Sequence, residues 1–404
     1  MKTIRVLSLA LQVWLAVACA AEVHTGLDNV ADYGSLFAGR RIGIIANHTA
    51  YDQRGRFIVD VFQDIDEVQV VALFSPEHGL YGVEEAGEPI DDRRDPKYGL
   101  PLHSLYGRTR KPTPQMLEGI DVLVFDIQDV GVRFYTYIST MSLAMEAAAE
   151  CGKRFIVLDR PNPIGGTKVE GPILEPSLAS FVGLHAIPVR HGLTVGELAR
   201  MIDGQGWLAG GVHVDLSVVP MTGWNRAVWY DQTGQVFRKP SPNMPDLDTA
   251  TVYPGLCLLE GTNVSEGRGT TMPFRQFGAP WIDGPKLAAR LNGLNLPGLT
   301  FHATTFTPAA SKHEGRLCSG VRIEVTDRDR LEPFWSGVCI VNEIARMAPD
   351  EFEWRADHFD RLCGTAAIRE AIANREPLPP LRQKYLAACE SFRRTSRPYL
   401  LYPD

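Results

Sequence analysis

The chain lacks the usual signatures of nucleotide and nucleophile chemistry. No GxGxxG follows a strand and no Walker A sequence occurs, so the common dinucleotide and triphosphate cradles are absent. There is no GxSxG elbow for a serine nucleophile and no HExxH zinc helix. No CxxC pair occurs among the seven cysteines, which are widely spaced in mostly apolar surroundings. Low-complexity tracts and internal repeats are missing. There is no excess of positive charge: the net charge is −7, which argues against nucleic acid as a partner. What remains is ordinary globular composition, 45% hydrophobic and 22% charged. At 404 residues the chain suggests two domains with a sizeable core.

The N-terminus reads as a targeting segment. Lys2 and Arg5 precede the apolar run Val6 to Ala18, which is short for a membrane span. We assign residues 1–20 as a signal peptide, so the protein is expected to be exported, periplasmic or secreted. Ala16-Val17-Ala18-Cys19 also resembles a lipobox, which makes Cys19 a candidate lipid anchor, although Ala replaces the usual Leu three positions before it. Export permits disulfides, and Cys318–Cys339 and Cys363–Cys389 are candidate pairs. Buried free thiols are the simpler reading of most of these cysteines.

The stretch from Asp121 to Pro163 organises the chain. Val122 to Phe125 and Phe155 to Leu158 are short apolar runs, each a strand buried on both faces. Between them Ser139 to Glu150 has helix composition, with Met141, Ala144, Met145 and Ala148 on one face. This βαβ pattern predicts parallel neighbours. Upstream, Arg41 to Ala46 and Val68 to Phe74 read as two more strands, with a helix over Tyr51 to Gln63. Residues 80–115 form a charged Gly/Pro-rich excursion, expected to be an ordered active-site loop. Thr194 to Glu197 opens a helix as a capping box, which makes Glu197 a cap rather than a catalyst. Val212 to Pro220 alternates like a strand.

The expected fold is α/β: a Rossmann-like N-terminal domain over 21–245 with a mostly parallel sheet, then a smaller α+β auxiliary domain over 246–404. In that second part Pro285 to Asn292, Pro333 to Met347 and Ala366 to Asn374 read as helices, and Gly320 to Thr326 as a strand. The final segment, with Pro377, Pro379 and Pro380, is expected to wrap over the surface.

Ligands of open α/β sheets bind outside the carboxyl ends of the strands. Ser75-Pro76-Glu77-His78-Gly79 stands at one such end. Its stiff turn and partly desolvated setting suit Glu77 to a general acid, though a strand-end salt bridge is an equal reading. His78 could orient it. Asp126, Asp129 and Arg133 follow the central strand, and Asp159 and Arg160 the next. Asp126 reads equally as a carboxylate catalyst or a structural cap, and Arg133 as a binder of an anionic group. Tyr135 could wall a sugar ring. Arg190 and His191 precede the capped helix, where an anion could bind. Gly261 to Thr271 is a polar, glycine-containing loop carrying Asn263, Glu266 and Arg268, with Glu260 just before it. It is expected to reach across a cleft, with Glu266 or Glu260 as partner carboxylate to Glu77. This acid-rich, hydroxyl-poor set favours carboxylate-driven hydrolysis.

Long stretches carry a family resemblance: GIIANHTA (43–50), LFSPEHGLYG (73–82), VFDIQDVGVRFYTYIST (124–140), VLDRPNPIGG (157–166), VEGPIL (169–174), RHGLTVGELA (190–199), SPNMP (241–245), VYPGLCLLEGTNVSEGRGTTMPF (252–274) and GAPWID (278–283). In these the chain resembles the bacterial exo-β-N-acetylmuramidases of the NamZ family. The resemblance implies release of N-acetylmuramic acid from non-reducing ends of peptidoglycan fragments in cell-wall recycling, and a cleft between two domains. It carries the family's SPEHG glutamate to Glu77 and its N-terminal asparagine to Asn47. Ala46-Asn47-His48 departs from the usual Thr before that asparagine and leaves Asn47 in place. The lactyl carboxylate of the sugar would call for a cation, with Arg133, Arg190 or Arg268 as candidates and Arg133 preferred.

The leading expectation is therefore an exported glycoside hydrolase acting on peptidoglycan-derived glycans, with no metal and no organic cofactor. A non-catalytic glycan-binding protein is the alternative from another class; intact Glu77, Asp126 and Glu266 argue against it. A metal-dependent hydrolase or esterase is the third, and activity that survives EDTA would dispose of it.

Overall fold

A computed structural model describes residues 22–83 and 92–404; residues 1–20, expected to be a signal peptide, and with them Cys19, lie outside the described residues, as do residues 84–91 of the long excursion. Strands β1 (Arg41–Ala46), β2 (Gln69–Ser75), β3 (Arg93–Arg94), β4 (Pro101–Ser104), β5 (Val122–Asp126), β6 (Arg154–Leu158) and β7 (Asp215–Val219) form one sheet in the order β3-β4-β2-β1-β5-β6-β7. All pairings are parallel except β3 with β4 at the edge. Helices α1 (Ile58–Gln63), α2 (Tyr137–Glu150) and α3 (Val195–Gly204) supply the crossovers.

The strands are apolar on both faces because each face has its own core. Val122 and Val124 of β5 join Ile42, Ile44 and the α1 side chains Ile58 and Phe62. The alternate residues Leu123 and Phe125 join Met141, Ala144 and Met145 of α2 on the other face. The chain passes from one side of the sheet to the other between β1 and β5. Strand ends on either side of that crossing, those of β1, β2, β5 and β6, deliver the candidate residues to one edge.

Two sequence expectations change here. The helix expected over Tyr51 to Gln63 is confined to α1. Asp52 instead accepts the Arg56 amide at 2.8 Å and closes a turn at Gly55, whose φ is +77°. The 80–115 excursion is not only loop; it contributes β3 and β4 to the sheet edge.

The second part begins with α4 (Leu247–Leu256), N-capped by Asp246, which accepts the Thr249 amide at 2.8 Å. A 3-10 turn, Cys257–Gly261, follows directly. Strands β8 (Gln276–Ala279), β9 (Leu299–Phe306) and β10 (Cys318–Val325) form an antiparallel sheet in the order β8-β10-β9. Helices α5 (Gly284–Gly293), α6 (Pro333–Met347), α7 (Ala356–Cys363), α8 (Ala367–Ala373) and α9 (Pro379–Ser396) complete it. The prolines expected to mark a surface wrap start α9, where a missing N–H costs nothing. The tail beyond does return to the first part, where the Tyr402 hydroxyl donates to Asp159 at 2.6 Å. The six cysteines in the described residues are free thiols, so neither candidate disulfide forms.

Helices α4 and α6 cross almost in contact. A Cβ on Gly337 would lie 2.3 Å from the Gly255 carbonyl oxygen, and one on Gly255 would lie 1.9 Å from that of Pro333. Gly337→Ala should therefore force the helices apart and destabilise the protein by about 1–3 kcal/mol. Urea denaturation checks this; an unchanged midpoint would mean that the crossing yields freely.

Candidate active site

Glu77 sits where β2 runs out. Gly79 donates its amide to the Pro76 carbonyl at 3.0 Å, and both His78 (φ +69°) and Gly79 (φ +73°) adopt left-handed backbone. A histidine in that region is uncommon and holds the turn tight. The Thr136 hydroxyl, at the start of α2, donates to Glu77 Oε2 at 2.7 Å and fixes the carboxylate's rotation. Burial and then the Glu77 charge push the Tyr106 phenol up to about 12, so this ring stands close beside the carboxylate as a neutral group.

Glu77 lines a cavity of about 320 Å3 with residues from both parts of the chain. The first part contributes His78, Tyr106, Arg110, Tyr135 and Phe181. The second contributes Tyr253, Glu260, Arg268, Phe274, His358 and Arg361. The aromatic wall is continuous: Tyr135 meets Tyr137 at 5.0 Å and Tyr253 at 5.9 Å, and Tyr253 meets Phe274 at 4.8 Å, all edge-on. A second cavity of about 540 Å3 shares Asn243, Glu260, Arg268 and His358 with the first and adds Glu266, Lys312 and Arg355. The cleft is thus continuous across the Glu260–Arg268 pair.

Glu260 is the second carboxylate of the first cavity. Arg268 grips it with Nη2 at 2.6 Å and Nε at 3.1 Å, and His358 Nε2 lies 3.5 Å away. Burial alone would push this carboxyl up, but Arg268 and His358 outweigh it and hold it down at about 2. Glu260 is therefore ionised across the neutral range.

Of the sequence candidates, Glu77, His78, Tyr135, Glu260 and Arg268 line the first cavity. Glu266 lies in the second, beside Lys312 at 2.9 Å and Arg268 at 3.4 Å. Asn47 lies behind the wall, its Oδ1 accepting from the Thr49 amide and hydroxyl at 2.9 and 2.6 Å, with its side chain against the Tyr137 phenol.

The other candidates turn inward. Asp126 is buried in a fork with Arg160, bonded through Nε and, at 2.9 Å, through Nη2. It is a paired structural carboxylate rather than an open catalyst, and Arg160 is spent on it. Asp129, pushed up to about 7 by burial, accepts the Gly131 amide at 2.6 Å. Asp159 itself occupies the α3 N-terminus, accepting from Gly196 N at 2.8 Å and Thr194 Oγ1 at 2.7 Å, so the anion expected there belongs to the protein. Arg190 is bound to Glu170 at 3.1 Å and to the Ile164 carbonyl. His191 is buried, and burial followed by the nearby arginines pushes it down to about 3. Asn263 braces the backbone of Glu351 and Glu353. Glu197 is the expected cap, and it also pairs with Arg226 at 2.8 Å.

Arg133 is the largest correction. It is fully buried, and its guanidinium donates to the carbonyls of Pro172 (2.8 Å), Ile187 (2.9 Å) and Leu362 (2.8 Å), not toward the cavity. Sequence reasoning also passed over Tyr106, Arg110, Tyr253 and His358. Tyr253 stands within a family-like stretch, and Tyr106 and Arg110 within the 80–115 excursion expected to be an active-site loop.

Fold and cleft together define an α/β protein whose strand-end carboxylate faces a cavity completed by a smaller antiparallel part. The chain belongs to the exo-beta-N-acetylmuramidase NamZ family: the family's N-terminal model matches residues 42–248 and its C-terminal model residues 251–402. It is 46% identical over 383 residues to the peptidoglycan beta-N-acetylmuramidase NamZ of Bacillus subtilis (strain 168), covering 94% of this chain and 92% of that protein. Two DUF1343 family crystal structures from Bacteroides fragilis NCTC 9343 are similar. One superposes with TM-score 0.88 at 39% identity and the other with 0.79 at 32%, each covering 95% of this chain and 99% of the other.

Removing the Arg133 guanidinium would leave the buried Pro172 and Leu362 carbonyls without a donor and the Ile187 carbonyl with only the Leu174 amide, at about 1–3 kcal/mol for each orphaned group. Arg133→Ala should lower unfolding free energy by at least about 2 kcal/mol, read by urea denaturation. A stable variant that had lost only activity would instead return Arg133 to the substrate.

Proposed function

We propose that this protein is an exo-acting glycoside hydrolase that releases N-acetylmuramic acid from non-reducing ends of peptidoglycan fragments. The observation that carries this reading is the pair of carboxylates, Glu77 from the first part and Glu260 from the second, lining one aromatic-walled cavity. Most glycoside hydrolases use two such groups in different roles. The relative from Bacillus subtilis, matched along nearly its whole length, is named for this activity.

In this reading Glu77 is the general acid, its carboxyl held by Thr136 and directed at the glycosidic oxygen. Glu260, kept ionised by Arg268 and His358, stabilises positive charge developing at the anomeric carbon or activates the attacking group. Tyr135, Tyr253 and Phe274 give the apolar face of the sugar ring a surface to pack on. The second cavity leaves room for the rest of the glycan. Residues 1–20 would direct export to the periplasm or beyond, with Cys19 as the site of any lipid anchor.

Hydrolysis of a chromogenic β-N-acetylmuramide, with the matching N-acetylglucosaminide as control, tests the activity; no release of chromophore from the muramide would reject it. Glu77→Gln should lower kcat on that substrate by ~10²–10⁴-fold while leaving the melting temperature unchanged. A near-normal kcat would remove Glu77 from the acid role.

A further inference from the structure

We propose that Arg110 reads the O3 lactyl carboxylate of N-acetylmuramic acid and so sets the preference of the cleft for muramides over glucosaminides; this rests on the muramidase reading above. The need for such a group is electrostatic. A substrate carboxylate entering this cavity joins the ionised Glu260, and without a cation of its own the added negative charge is repelled as well as desolvated.

The arginines at hand are not equivalent. Arg133, Arg160 and Arg190 are spent on interior carbonyls and carboxylates. Arg268 lines the cavity but is committed to Glu260 at 2.6 Å and lies 3.4 Å from Glu266; drawing it to substrate would release the second carboxylate. Arg110 and Arg361 are left on the lining, and neither forms an ion pair among the described residues.

Arg110 is the better prepared of the two. Its guanidinium lies 4.3 Å from the Phe181 ring centroid and 5.8 Å from that of Tyr106, rings themselves 6.0 Å apart. Stacking uses the flat face of the group and leaves the N–H edge free for a bidentate carboxylate. It also holds the long side chain in place before binding, so less freedom is lost when substrate arrives. Arg361, on α7, is exposed like Arg110 but has no such ring beneath it among the described residues. Tyr106 then spaces the site. Its phenol stands beside Glu77 while its ring supports Arg110. The O3 substituent is two ring carbons from the anomeric carbon, and Tyr106 bridges the lining between Glu77, assigned to the glycosidic oxygen, and Arg110.

The test compares three chromogenic substrates: the N-acetyl-β-muramide, its lactyl methyl ester and the N-acetyl-β-glucosaminide. Wild-type protein should cleave the acid with kcat/KM about ten- to a hundredfold above the ester, the loss expected for one charge-assisted pair. Arg110→Ala should bring the acid down to the level of the ester, with an unchanged melting temperature. Arg110→Lys should restore only part of the preference, and Arg361→Ala should keep all of it. An Arg110→Ala variant that retains the wild-type acid-to-ester ratio overturns the assignment, as does loss of that ratio in Arg361→Ala. Equal cleavage of acid and ester by the wild type refutes it while leaving the muramidase reading intact. No cleavage of any muramide by the wild type refutes that reading and this assignment with it.

Discussion

The cleft depends on a buried guanidinium that never touches it. Arg133 takes two carbonyls from the first part, those of Pro172 and Ile187, and one from the second, that of Leu362. A charge buried among dipoles is costly to leave unsatisfied, so the three carbonyls and the α7 terminus that supplies one of them are held together. The fit is close: a Cβ on Gly364 would lie 2.7 Å from Arg133 Nη2. Glu175 adds a second tie, its amide donating to the Gly364 carbonyl at 2.9 Å. Helix α7 in turn presses on the 3-10 turn that carries Glu260. A Cβ on Gly261 would lie 2.5 Å from the Phe359 Cα. Arg133 thus helps to hold the turn of Glu260 and the helix of His358 opposite the strand ends without lining the cavity itself.

Other buried charges at the sheet edge do similar work. Asp126 with Arg160, Glu197 with Arg226 and Arg190 with Glu170 are interior pairs that fix the loops after β5, β6 and around α3. Asp159 gathers Thr194, Gly196 and the Tyr402 hydroxyl of the tail, and so closes the far end of the chain onto the first sheet. The edge delivers many charged groups to one place, but most of them shape the rim and few face the cavity.

The parallel core was legible in the sequence because β1, β2, β5 and β6 are unbroken apolar runs, and α2 shows its buried face as a 3.6-residue period. Strand β9, LTFHATTF, buries only Phe301 and Phe306 among polar residues, too weak a pattern to see. Helix α4 contains Thr, Pro and Gly and has little intrinsic helicity; it exists because Asp246 caps it and Gly255 lets α6 approach. Glu77 was readable from a stiff turn at a strand end, and Glu260 and Arg268 from a polar, glycine-containing loop. The direction of Arg133 was not readable. A charged residue after a strand looks the same whether it faces solvent or an interior carbonyl, and here one deciding partner, Leu362, lies 229 residues along the chain.

The central claim is that the second part supplies one of the two working carboxylates to a site anchored on the first. The most direct measurement is kcat of Glu260→Gln on a chromogenic β-N-acetylmuramide, with the melting temperature taken alongside. Glutamine keeps the shape but removes the charge that Arg268 and His358 hold in place. The account predicts a fall in kcat of about a hundredfold or more in a protein that still melts as the wild type does. A variant turning over at close to the wild-type rate would contradict it.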